Sequence, residues 1–163
     1  MSNPESGVLR TLKVIVGALF LGAALWLAVA TFLVMTDEPR GESDDFASMF
    51  LGVWAALAFG SLVAWPIVRG KQAALAAMAL ASADDEARLV AAQHYLSSTI
   101  VGAALAEGST LFAGVGWFLT GHPALFAVSF LGLLAIVLLF PTQDKFERFV
   151  ERSGARLPPL SPG

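Results

Sequence analysis

The sequence predicts an all-α, polytopic transmembrane four-helix bundle with a helical cytoplasmic stalk between helices 2 and 3. Three observations predict it. Hydrophobic residues make up 56 % of the 163 residues and charged residues only 14 %, whereas a soluble domain carries about 25 % charge. Four stretches, residues 12–35, 46–68, 96–120 and 124–140, are mostly apolar, and crossing a hydrocarbon core takes about 20 such residues. Basic residues gather in alternate connecting segments. The whole chain reads as a single membrane domain, with a connector at 69–95 and a tail at 141–163.

Each stretch is read as a helix because hydrocarbon offers no water to satisfy backbone groups, so each N–H must bond within its own segment. Their Ala and Leu content favours the same state. The short alternating segments of a membrane β-barrel are missing. The first span follows Arg10 and Lys13 and ends in Ala28-Val29-Ala30, a pattern that imitates a cleavable signal peptide. The apolar run continues through Met35, however, where a signal peptide turns polar. A retained anchor is the preferred expectation.

Pro39, Arg40 and Gly41 break the chain after the first span. In the second, Pro66 deletes one ladder bond and predicts a kink. The connector is Ala-rich after Lys71, and span two is expected to extend past Gly70. Ser82 is the expected N-cap of the next helix, with Asp84, Asp85 and Glu86 in its first turn, where negative charge suits the helix dipole. No breaker follows before Thr120, so one helix from about residue 83 to 120 is expected. At 1.5 Å per residue it is about 55 Å long, against a core of about 30 Å. The excess predicts the stalk. Gly121, His122 and Pro123 leave room only for a tight turn into span four. In the tail, Thr142 caps a short helix over 145–151. Phe146, Phe149 and Val150 share its apolar side, which suits either a helix lying on the membrane surface or one packed on the stalk.

Orientation follows from Lys and Arg. Arg10 and Lys13 precede span one. Arg69, Lys71 and Arg88 lie between spans two and three. Lys145, Arg148, Arg152 and Arg156 follow span four. Only Arg40 lies on the other side, beside Asp37, Glu38, Glu42, Asp44 and Asp45. Both termini are therefore expected in the cytoplasm, with the protein in the inner (plasma) membrane. The lipid bilayer is the expected partner, joined by a protein partner or a second copy through small-residue helix faces. The isoelectric point of about 5.3 argues against nucleic acid, whose binding domains show a basic patch and a pI above about 9.

The absence of cysteine removes thiolate metal sites and Cys nucleophiles. His94 and His122 fall at opposite ends of span three, so no metal site or other cofactor is expected. The acidic loop after span one could hold divalent cations weakly, but reads better as a solvated loop. Trp26, Trp54, Trp65 and Trp117 are expected to face lipid or the interface. No hydrolase triad, phosphate loop or HExxH motif is present.

Glu107 stands out. It lies about ten residues from each end of span three, where an ionised carboxylate costs about 2.5–3.5 kcal/mol on insertion scales. The group is expected to be held neutral. Ala104 with Gly108, and Thr110 with Gly114, form small-xxx-small pairs that permit close helix approach. Ser61, at similar depth on span two, is the candidate hydrogen-bond partner. Two readings of this set stand: Glu107 carries a proton or binds a cation, or it hydrogen-bonds a neighbouring helix and fixes the packing.

Ala104, Leu105, Ala106, Glu107 and Gly108, with Leu111 and Gly114 beyond, resemble the carboxylate-bearing helix of rotor-ring proteolipids, the c subunits of rotary ATP synthases. The resemblance covers about fifteen residues and implies a proton or sodium site at Glu107. The family's partner helix is rich in spaced glycines, unlike 46–68, and a short polar loop there replaces 69–95. More widely, Glu107-Gly108 in span three and Phe140-Pro141-Thr142 closing span four are similar to a group of small uncharacterised four-span bacterial membrane proteins. That resemblance implies fold and location but no activity. A non-enzymatic accessory or interaction subunit is the function expected first, a proton- or cation-handling element second, and an enzyme on lipids last, for want of a catalytic cluster.

Overall fold

The computed structural model describes residues 4–36, 44–81 and 86–154. All regular structure among them is helical: α1 (Pro4–Thr36), α2 (Asp44–Ala81), α3 (Ala87–Thr120), α4 (Pro123–Leu139) and α5 (Gln143–Gly154). α1, α2 and α3 are each long and apolar enough to cross a membrane. α4 has 17 residues, about 26 Å at 1.5 Å per residue, which falls short of a core of about 30 Å. Three helices therefore qualify by length, or four if α4 and α5, bent by 70°, count as one span.

The elements follow the local chemistry. α2 runs unbroken through Pro66 and past Gly70 to Ala81. α3 ends where Gly121, at φ +64°, takes the left-handed turn that glycine adopts without penalty. Its N–H donates to Trp117 O at 2.8 Å. His122 then caps α4: its Nδ1 accepts from Ala124 N at 3.3 Å, and Pro123 occupies the first turn, where its missing N–H costs nothing. Thr142 caps α5, accepting at Oγ1 from Lys145 N at 3.3 Å. That cap matches expectation, although the helix runs on to Gly154. The expected cap at Ser82 lies outside the described residues, as do Asp37, Glu38 and Glu42.

The chain divides into two compact units. One comprises Val16–Ala64 and Gly102–Phe140. Within it α1 and α3 run parallel, since their contacts advance together. A methyl group built on Gly22 would lie 3.8 Å from Glu107 Oε1, one on Gly114 would lie 2.9 Å from Trp26 Nε1, and one on Gly121 would lie 3.8 Å from Val34. α3 and α4 run antiparallel, with Thr110 directly against Gly132, Leu125 against Gly116 and Trp117 stacked at 5.6 Å on Phe126. Phe50 of α2 joins them, 5.2 Å from Phe112, beside the buried Ala47 and Leu125. Much of this unit's large apolar surface stays uncovered, including Leu21, Phe32, Phe59 and Leu62.

The other unit comprises Met1–Ile15, Trp65–Val101 and Pro141–Gly163. Ala73, Ala76 and Ala77 of α2 and Ala87, Ala91 and Ala92 of α3 are buried, and such small side chains permit close packing. Gln72 Oε1 meets His94 Nδ1 at 2.6 Å, tying the two helices. α5 packs here through Phe146 and Phe149, whose rings lie 5.6 and 5.4 Å from that of Tyr95. Of the two expectations for this helix, its contacts match packing on α3. Arg88 adds an ion pair to Glu147 at 3.2 Å, with both side chains well exposed; such a surface pair contributes at most about 1 kcal/mol.

Candidate functional site

Glu107 is set by its helix. α3 holds its residues in register by local hydrogen bonds, and one turn around Glu107 carries Ala103, Ala104 and Gly108. Ala103 is fully buried, while Ala104 and Gly108 are exposed. The carboxyl, half-buried, extends toward α1 at Gly22. A methyl group on Gly22 would still be in ordinary van der Waals contact with the carboxyl. No hydrogen bond or ion pair reaches Glu107 among the described residues.

The other two predicted residues go elsewhere. Ser61 Oγ donates to Leu57 O of its own helix at 2.8 Å, and no hydrogen bond joins it to Glu107. Hydroxyls in apolar helices commonly satisfy themselves on the preceding turn, a competitor that depth matching alone ignores. Thr110 does the same, donating to Ala106 O at 2.7 Å. It is buried and abuts Gly132. Thr110 is thus one turn from Glu107 along the chain, but its hydroxyl is committed to the backbone and its side chain to the α4 crossing.

The two small-residue pairs part in the same way. Thr110 and Gly114 face inward: Gly114 receives the Trp26 ring. Ala104 and Gly108 face outward, with nothing within 4 Å of where a Gly108 Cβ would stand. The Trp26 contact was not foreseen. The indole N–H groups of Trp26, Trp54, Trp65 and Trp117 are all buried with no partner among the described residues. Trp26, partly buried, packs on Gly114 and stands 6.4 Å from the Phe118 ring. Its signal in the sequence is only the glycine opposite, which has many other uses.

Chemically, a neutral carboxyl donates one hydrogen bond and accepts others, and an ionised one can hold a cation. Here it stands beside an open helix face with no counter-charge on its own turn. Among the described residues no group of three His, Asp or Glu could hold a metal ion. Compared with known proteins, the chain matches no family model, no curated protein and no solved structure.

Proposed function

We propose that this is a multi-pass protein of the inner (plasma) membrane that serves as a non-enzymatic accessory or interaction subunit. In this reading α1 to α4 form the membrane bundle. The C-terminal part of α2 and the N-terminal part of α3 form the cytoplasmic stalk, and both termini are cytoplasmic. The apolar composition and the spanning-length helices support the membrane. The grouping of residues 1–15, 65–101 and 141–163 in one compact unit supports a shared side for both termini, because those segments hold nine of the ten basic residues.

The observation that carries the interaction role is the unpartnered Glu107 carboxyl flanked by the open Ala104 and Gly108. An intramembrane acid is costly by about 2.5–3.5 kcal/mol when ionised, and a helix that supplies a hydrogen bond returns about 0.6–2 kcal/mol. Close packing on Gly108 adds dispersion contacts. Purification in mild detergent tests this reading. A stoichiometric partner or second copy is expected with the native chain and is lost in Gly108→Leu and Glu107→Ala, with thermal melting of the subunit unchanged. A monomer that neither substitution affects would overturn it. Because the chain has no cysteine, single cysteines at Ser6, Ser43 and Gln143 report topology directly. Only Ser43→Cys should react with an impermeant thiol reagent from outside intact cells.

A second reading, a proton- or cation-handling element, is favoured by one observation: Glu107 is the only charged residue of α3 between Gly102 and Thr120. Carbodiimide labelling of Glu107 that is blocked by cations or slowed at high pH is its signature. A fully active Glu107→Gln variant ends it.

A further inference from the structure

α5 differs from every other helix in how its charges are arranged. At 100° per residue, its buried residues Phe146, Phe149 and Ser153 occupy about 60° of arc. Lys145, Arg148 and Arg152 occupy the next arc of about 60°, directly flanking the buried face. Asp144, Glu147 and Glu151 are confined to a third arc beyond them. Acids and bases are therefore segregated, and the basic ridge is the one that borders the apolar side. The strongest acid contact is turned away from it: Glu147 is engaged by Arg88 at 3.2 Å and by Gln143 Nε2 at 2.9 Å. Arg148 and Arg152 are exposed and make no ion pair among the described residues. Arg148 Nε donates to Asp144 O at 3.1 Å, which pins its stem along the helix and leaves its other guanidinium donors outward.

The helix is also fixed within its unit by aromatic contacts. Its Phe146 and Phe149 rest on Tyr95, and in the same unit Arg69 stands 5.1 Å over the Trp65 ring. Tyr95 itself is buried, whereas Trp residues collect at the level of lipid headgroups, where the Trp65–Arg69 pair would then lie. The apolar face of α5 is taken up by Tyr95, so it is the flanking Arg and Lys side chains, long enough to snorkel, that are left to reach headgroup phosphates.

We propose that the Lys145–Arg148–Arg152 ridge of α5 is a binding surface for anionic phospholipid headgroups of the cytoplasmic leaflet. The occupant follows from charge complementarity: two outward guanidiniums one turn apart offer forked donors to a phosphate diester. This inference rests on the membrane reading above, and the test separates the two. Each basic residue near an anionic surface is worth about fivefold in affinity.

Full-length protein in neutral detergent micelles is titrated with phosphatidylglycerol, phosphatidylcholine or inorganic phosphate, and binding is followed by native mass spectrometry. Phosphatidylglycerol should be retained over phosphatidylcholine, and Arg148→Gln with Arg152→Gln should weaken it about 25-fold. Arg148→Lys with Arg152→Lys should keep most of the preference, and 0.5 M salt should reduce it. An unchanged preference in the Gln pair overturns the proposal. So does an equal loss in Arg10→Gln with Lys13→Gln, which would make the attraction diffuse, and so does saturation by inorganic phosphate alone. Helical circular dichroism of the Gln pair equal to native excludes misfolding as the cause. Failure of the membrane reading looks different: the chain would be monodisperse without detergent.

Discussion

The two compact units solve the packing problem with different side chains. In the unit of Val16–Ala64 and Gly102–Phe140, contacts concentrate where a glycine lets something approach: Trp26 on Gly114, Phe50 on Gly116, Thr110 on Gly132. Large apolar side chains point outward, as Phe59 and Leu62 do at 69 % and 73 % exposure. In the unit of Met1–Ile15, Trp65–Val101 and Pro141–Gly163 the anchors are instead aromatic and fully covered, Phe146 at 0 % and Phe149 at 3 % exposure, with charged residues around them. In the membrane reading proposed above, the difference is one of solvent. Where hydrocarbon surrounds a helix, burying leucine gains nothing, and close backbone approach is the available source of attraction. Where water surrounds it, covering a phenylalanine is worth most. In that reading the same chain uses both rules, and the division between them falls within continuous helices.

That comparison can be broken at several points. The largest effect is expected from Phe146→Ala. Truncating a fully covered aromatic costs about 3–5 kcal/mol and should free α5, seen as early tryptic cleavage after Arg148 and Arg152. Persistence of α5 protection would mean that the ion pair to Glu147 holds it. Next, Gly132→Ala places a methyl group against Thr110 and should cost about 1–3 kcal/mol by overpacking, read as a lower melting temperature in detergent. Its companion Gly108→Ala meets open space and gains up to about 1 kcal/mol of helix propensity. If the two glycine variants melted alike, the inward and outward assignment of these faces would be wrong. The smallest effect is Arg88→Gln, which removes an exposed pair and should change melting by less than the equivalent of about 1 kcal/mol.

Legibility varied with the kind of residue. The turn at Gly121, His122 and Pro123 and the Thr142 cap were readable because each acts on its immediate neighbours. α2 beyond Gly70 and the long α3 were readable because nothing in 71–81 or 87–120 breaks a helix. The site was readable only as a residue, Glu107, and not as a set. Ser61 matches it in depth, yet a hydroxyl one turn above a carbonyl bonds its own helix first. The pair Gln72 and His94 carried no signal beyond two polar residues in an Ala-rich stretch. For the tail, the sequence leaves surface and packed readings of α5 equal, and the contacts with Tyr95 show its apolar face packed on α3.

By itself the sequence determined that the chain is helical and that the first three stretches are long and apolar enough to span, whereas the fourth forms a 17-residue helix that qualifies only together with α5. Those properties depend on local hydrogen bonds and on composition, and neither needs a neighbour. Only the tertiary structure decided which face each helix turns inward: Gly22 toward Glu107, Gly132 toward Thr110, Ala104 and Gly108 away. A helix that is apolar all round has no polar stripe to mark its outer side. Its facing is settled by steric fit between particular side chains, and that fit exists only once the helices meet.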